Sequence, residues 1–82
     1  MELVFKDEAL KNLQKINKQD LKKVKRKLED LKSNPLSGKQ LHGKFSQQRS
    51  LRAWPLRIIY NFDSKKQIIE IITVDYRGNV YK

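Results

Sequence analysis

Apolar residues recur along the chain with two different periods. Leu3, Val4 and Phe5 follow Glu2 as a short apolar run, which predicts a first strand over residues 2–5. Ala9, Leu10, Leu13 and Ile16 then recur at helical spacing, predicting a helix from about Glu8 to Asn17 with Asp7 as its N-cap. After a break at Asn17-Lys18-Gln19-Asp20, a second stripe of Leu21, Val24, Leu28 and Leu31 marks another helix, capped by Asp20 or a neighbour. That helix ends at about Lys32, because Asn34 precedes Pro35 and a residue before proline avoids the helical region. The connection between the helices is short, so they form a helical hairpin.

From Ser33 to Gln48 no period is sustained, and a loop of roughly fifteen residues is long enough to suggest a function. Leu36, Leu41 and Phe45 are its expected anchors. Ser50–Ala53 reads as a strand, and Trp54-Pro55 as a turn or bulged edge. Leu56 to Phe62 alternates, with Leu56, Ile58, Tyr60 and Phe62 on one face. Asp63 to Lys66 is a hairpin turn, and Ile68 to Val74 is apolar on both faces, as a central strand should be. Tyr60 and Tyr76 are assigned to the core. The resulting order is β-α-α-β-β-β: an α+β fold in which an antiparallel sheet packs against a helical hairpin, as one domain over residues 1–82. Simple alternation around a tight turn puts Arg57 and Arg77 on opposite faces; they converge only if the last strand bulges or ends before Arg77.

Composition narrows the partners. A chain of 82 residues buries only about 60% of the surface its unfolded form exposes, so its core is thin. There is no cysteine to form a disulfide, bind metal or act as a nucleophile, which fits a reducing cytoplasm. No run approaches the roughly 18 apolar residues of a membrane span, and the N-terminus lacks a signal-peptide pattern. Nineteen Lys and Arg against nine Asp and Glu give a formal net charge of +10. Such an excess suits polyanionic partners, because neutralising phosphates releases counterions. The second helix carries Lys18, Lys22, Lys23, Lys25, Arg26 and Lys27 away from its apolar stripe, either as a solvated face or as a docking surface for structured RNA.

Candidate chemistry is narrower still. The single histidine, His42, sits in the Leu41-His42-Gly43-Lys44 loop and reads as a surface residue. Glu70 and Asp75 are too far apart along one strand to act as a carboxylate pair. No glycine-rich phosphate loop and no metal-ligand spacing occurs, so neither cofactor nor metal is expected. What remains for chemistry is arginine, lysine and tyrosine. Trp54 either packs at a hairpin corner or stacks on a base.

Several stretches, taken in order, resemble the RelE/ParE toxins of bacterial and archaeal toxin–antitoxin systems. They are Ala9-Leu10-Lys11-Asn12-Leu13, Asn34-Pro35, Leu41-His42-Gly43-Lys44, Ser50-Leu51-Arg52, Leu56-Arg57-Ile58-Ile59-Tyr60 and Tyr76-Arg77-Gly78-Asn79-Val80-Tyr81. The resemblance implies a twisted antiparallel sheet with a helical hairpin on one side. RelE-like members cut messenger RNA in the ribosomal A site, ParE-like members inhibit DNA gyrase, and a small antitoxin wraps and silences both. It further implies a metal-free ribonuclease site. Tyr81 would be the general base, its pKa lowered by neighbouring cations. Arg57 would stabilise the phosphorane charge, and Arg77 would grip the phosphate and assist the leaving group. Lys44, Arg49 and Arg52 would hold the RNA backbone, and Lys22, Lys23 and Arg26 would add RNA contacts. Blander roles exist: Arg57 as a surface strand residue, Arg77 paired with Asp75 or Asp63, Tyr81 closing the sheet. The chain departs from cleaving members in having Arg49 and Ser50 where lysines are frequent. Three functions are therefore in play: a ribosome-dependent endoribonuclease toxin with rRNA, mRNA and an antitoxin as partners; a gyrase inhibitor; or a non-catalytic RNA-binding protein.

Overall fold

In the computed structural model, which describes residues 1–41, 43 and 47–76, the elements follow the expected order with one addition. They are β1 (Glu2–Phe5), α1 (Asp7–Lys15), α2 (Lys18–Ser33), β2 (Lys39–Gln40), β3 (Arg49–Ala53), β4 (Leu56–Asp63) and β5 (Ile68–Tyr76). The two-residue β2 lies inside what the sequence reads as loop. The strands form one sheet in the order β1-β5-β4-β3-β2. Pairing is antiparallel from β2 through β5, as expected, but β1 runs parallel to β5, so the sheet is mixed. Strand β5, apolar on both faces, lies between β1 and β4.

The core lies between one face of this sheet and the helices. Leu56, Ile58 and Tyr60 of β4, Ile69, Ile71 and Val74 of β5 and Ala53 of β3 pack with Ala9, Val24, Leu28 and Leu31. Helix α1 rests on β5 and α2 on β3 and β4, so each helix packs chiefly on the sheet rather than on the other. Two expected core positions and one expected loop anchor differ. Leu10 is exposed because it lies off the Ala9–Leu13–Ile16 face; Leu36 is exposed in the loop; and Tyr76, at the end of β5, is 39% exposed.

Helix starts also differ from expectation. Asp7 is the first residue of α1, and Lys6 at the cap position makes no side-chain capping bond; the acidic pair Asp7 and Glu8 instead faces the positive end of the helix dipole. Asn17, not Asp20, caps α2: its Oδ1 accepts the Asp20 N–H at 2.8 Å, and its Nδ2 donates to Asp20 Oδ2 at 3.1 Å. The first bond satisfies one backbone N–H that the helix leaves unbonded, and the second, side chain to side chain, holds the capping amide in place.

A β-bulge divides β5. The register runs from Asp63↔Ile68 to Tyr60↔Ile71 and resumes at Ile59↔Thr73, leaving Ile72 without an opposite residue. The cause is visible in the apolar pattern. Ile69 and Ile71 are two apart, but the next core residue, Val74, is three further on. Without an extra residue, Val74 would turn away from the core and Asp75 would enter it. Beyond Phe5, β1 has ended, and the edge of β5 is served instead by α1: Asn12 Oδ1 accepts the Val74 N–H at 3.1 Å and the Thr73 hydroxyl at 2.9 Å.

Tyr60 ties the long loop to the core. It is fully buried. Its hydroxyl donates to the Pro35 carbonyl at 2.8 Å and accepts the Gly38 N–H at 2.9 Å. Arg49 Nη1 donates to the Gly38 carbonyl at 2.9 Å from the neighbouring strand. A Cβ on Gly38 would lie 2.6 Å from the Tyr60 oxygen, so only glycine lets the loop come this close. Tyr60→Phe should therefore cost about 1–3 kcal/mol, since it leaves the Gly38 N–H and Pro35 carbonyl underbonded, and Gly38→Ala should also destabilise, both read by urea denaturation. Burial pushes the Tyr60 hydroxyl above its ordinary pKa of 10.0, although the Gly38 N–H and the Arg49 charge oppose it. The folded state thus holds this proton more tightly than the unfolded chain. Its contribution is fully present below about pH 10 and falls as pH rises through the folded value, so Tyr60→Phe should flatten the alkaline limb of the stability profile.

Candidate nucleic-acid interface

Arg57 leaves β4 between the core residues Leu56 and Ile58, so alternation carries it to the sheet face turned away from the helices. The β3–β4 register places Arg52 directly opposite it, and the β4–β5 register places Asp75 on its other side. An uninterrupted register would have set Arg57 against Val74; the bulge substitutes a carboxylate. One row across the reverse face therefore reads Arg52, Arg57, Asp75. Arg52 is exposed, while Arg57 is half-buried and engaged with other groups. Like charges directly opposite across an antiparallel pair are destabilising. With two guanidiniums and one carboxylate in the row, a bound anion such as a phosphate would relieve the excess.

Arg49 is separated from this pair. It lies opposite Tyr60 and three residues from Arg52, hence on the other face, with one guanidinium nitrogen committed to the Gly38 carbonyl. Its proximity to the loop makes it a scaffold residue first. Lys22, Lys23 and Arg26 are exposed on α2, the layer that covers the opposite side of the sheet from Arg52 and Arg57. Lys18 and Lys25 are exposed with them, but Lys27, next to the Val24–Leu28–Leu31 stripe, is half-buried rather than solvated. The ion pairs found among the described residues, Lys6–Glu70 and Lys32–Glu29, do not draw on these α2 cations. The cations thus form two groups facing in different directions. Arg77, Tyr81, Lys44 and His42 lie outside the described residues.

Further along the reverse face, Glu70 lies between Lys6 Nζ at 3.7 Å and Asn61 Nδ2 at 3.5 Å. Glu70 and Asn61 border an open groove of about 1000 Å³ that also takes in Val4, Ile68, Lys65 and Lys66. Among the described residues no cluster of His, Cys, Asp or Glu has the makings of a metal site, and no helix is long and apolar enough to cross a membrane.

Two features of this end of the sheet escaped the sequence reading. Asp20, buried beneath the basic helix, accepts a hydrogen bond from the Tyr76 hydroxyl at 3.3 Å and so ties the end of β5 to the start of α2. Its signal was the Asn17-x-x-Asp20 spacing of a cap. The placement of Asp75 beside Arg57 was the other, and its signal was the phase change between Ile71 and Val74.

A mixed five-stranded sheet with two helices on one face is the fold of solved toxins from toxin–antitoxin systems. A family profile describing the ParE toxin of type II toxin–antitoxin systems, parDE, matches residues 3–81, and the chain belongs to this family. The toxin–antitoxin complex RelBE2 from Mycobacterium tuberculosis contains a chain of 28% identity and TM-score 0.86, with 93% of this chain and 96% of that one covered. The YoeB/ParE toxin from Agrobacterium tumefaciens shares 20% identity at TM-score 0.83, covering 94% of this chain and 99% of that one. A chain of the intact E. coli RelBE toxin–antitoxin complex shares 22% identity at TM-score 0.78, covering 93% and 95%. No curated protein matches the sequence.

Partial burial and the adjoining Asp20 carboxylate, with a smaller push from Asp75, raise the Tyr76 hydroxyl above its ordinary pKa. In an ultraviolet titration Tyr76 should ionise later than a free tyrosine, and Asp20→Asn should bring its ionisation to lower pH. A titration curve unmoved by Asp20→Asn would show that the carboxylate does not act on this hydroxyl.

Proposed function

We propose that this member of the ParE toxin family acts in the RelE manner, as a ribosome-dependent endoribonuclease that cleaves messenger RNA in the cytoplasm. The observation that carries this reading is the row Arg52, Arg57, Asp75 on the sheet face left open by the helices. Metal-free cleavage requires that the 2′-hydroxyl lose its proton, that the phosphorane charge be neutralised and that the 5′-oxygen gain a proton as it leaves. Arg57, fixed on a central strand, supplies permanent positive charge for the phosphorane. Arg52 holds the neighbouring phosphate. Tyr81, as phenolate, takes the 2′-hydroxyl proton, Arg77 grips the phosphate on the leaving side, and solvent water protonates the departing 5′-oxygen. Asp75 restrains the Arg57 side chain between a cation and an anion, which sets its direction before RNA arrives.

Lys22, Lys23 and Arg26, facing away from this row, bind a second polyanionic surface, in this reading ribosomal RNA. The partner that silences the toxin is a cognate antitoxin, as in the toxin–antitoxin complexes of RelBE2 and RelBE. The family description, which names ParE, favours a second reading: by its resemblance to ParE-like members, the chain would inhibit gyrase through protein contacts, without chemistry.

Brief induction followed by primer extension on ribosome-bound transcripts separates the two. Discrete cleavage within codons supports the first; DNA damage and filamentation with intact transcripts support the second. On purified ribosomes Arg57→Ala should lower single-turnover cleavage by about a hundredfold or more. Full toxicity in each of Arg57→Ala, Arg77→Ala and Tyr81→Ala would remove the site. Replacing Lys22, Lys23 and Arg26 together by alanine should instead weaken RNA binding and lower its salt slope by roughly two units, with the rate on saturated ribosomes unchanged.

A further inference from the structure

Trp54, the only tryptophan in the chain, is 59% exposed. It stands in the turn between β3 and β4, two residues after Arg52 and three before Arg57, the pair that the register sets opposite one another. Its neighbours Ala53 and Leu56 are buried in the core, so the turn is anchored without burying the indole. Leaving more than half of so large a ring in water forgoes part of its packing gain. An exposed aromatic ring in the turn joining two strands that set arginines opposite one another has the composition of a single-strand RNA site, where the cations take phosphates and the ring takes a base. Tryptophan and arginine also serve protein interfaces. Here the opposed like charges and the net charge of +10 favour a polyanion.

We infer that Trp54 is the stacking platform for one base of the RNA strand whose phosphate lies on Arg52 and Arg57. This rests on the reading of that pair as a phosphate site and adds a residue that positions the strand without reacting. Base stacking tolerates all four bases, so the contact contributes affinity and placement rather than a sequence code.

The sole tryptophan reports directly. A short single-stranded RNA with 2′-O-methyl groups, which cannot be cleaved, is titrated into the full-length protein. Tryptophan fluorescence and the anisotropy of a 5′-labelled oligomer are followed together. Quenching should saturate at the same concentration as anisotropy. Trp54→Ala should weaken binding about tenfold and Trp54→Phe, which keeps a ring, by no more than about threefold. Circular dichroism of both variants controls for folding. Unchanged fluorescence while the oligomer binds, or wild-type affinity in a folded Trp54→Ala, would overturn the inference. So would a fluorescence change produced by antitoxin but not by RNA, which would make the turn a protein-contact site. If Arg52→Gln with Arg57→Gln leaves affinity intact while quenching persists, stacking stands and the phosphate site assumed for cleavage falls, so the two failures are distinguishable.

Discussion

The single extra residue at Ile72 decides which side chains of β5 enter the core and which face solvent. Strand alternation is rigid, so an apolar pattern that changes phase between Ile71 and Val74 forces a choice. Either the pairing breaks, or the backbone absorbs one residue. The bulge absorbs it, and both consequences serve the molecule. Val74 completes the core beside Ile58, and Asp75 arrives opposite Arg57 on the other face. Bulges commonly occur where a side chain must be re-aimed beside a functional site. Here stability and charge placement come from the same backbone event, so a substitution that erased the bulge would disturb both.

Much of the architecture was legible in the sequence because it rests on periodicity. The helical stripes at Leu13–Ile16 and Val24–Leu28–Leu31, the alternation from Leu56 to Phe62 and the doubly apolar β5 each impose one arrangement. Three things were less legible. The parallel pairing of β1 depends on long-range register that a four-residue run does not encode. The two-residue β2 is too short to show a period. Tyr60 could be assigned to the core, but its hydroxyl's partners at Pro35 and Gly38 lie more than twenty residues upstream, and no local pattern connects them. For the candidate site, Arg57 and Arg52 could be named from the strand that carries them. Their facing relation, and the part played by Asp75, required the register. Arg49 was read as equivalent to Arg52, yet odd spacing within one strand puts them on opposite faces.

Two cationic surfaces face opposite sides of the domain. One is the exposed side of α2; the other is the Arg52–Arg57 row on the reverse of the sheet. The hydrophobic core lies between them, so their separation is set by the thickness of a helix layer on a sheet. A compact ligand meets one surface or the other. A polyanion that folds around the domain, or a cleft with phosphate on two walls, can meet both. Buried Asp20 sits below the first surface and holds Tyr76, so the start of α2 and the end of β5 are joined by one short contact.

Asn12 has a bearing on how copies of this protein coexist at high concentration. Beyond Phe5, the margin of β5 would otherwise present unpaired amide groups, the template on which foreign strands assemble. The Asn12 side chain takes the Val74 N–H. Among the described residues, the strand margins left for sheet extension are then those of a four-residue β1, a two-residue β2 and the three residues of β3 beyond Ser50. With so few rungs available, runaway strand-on-strand polymerisation has little to build on, and a domain rich in apolar β-structure can remain dispersed.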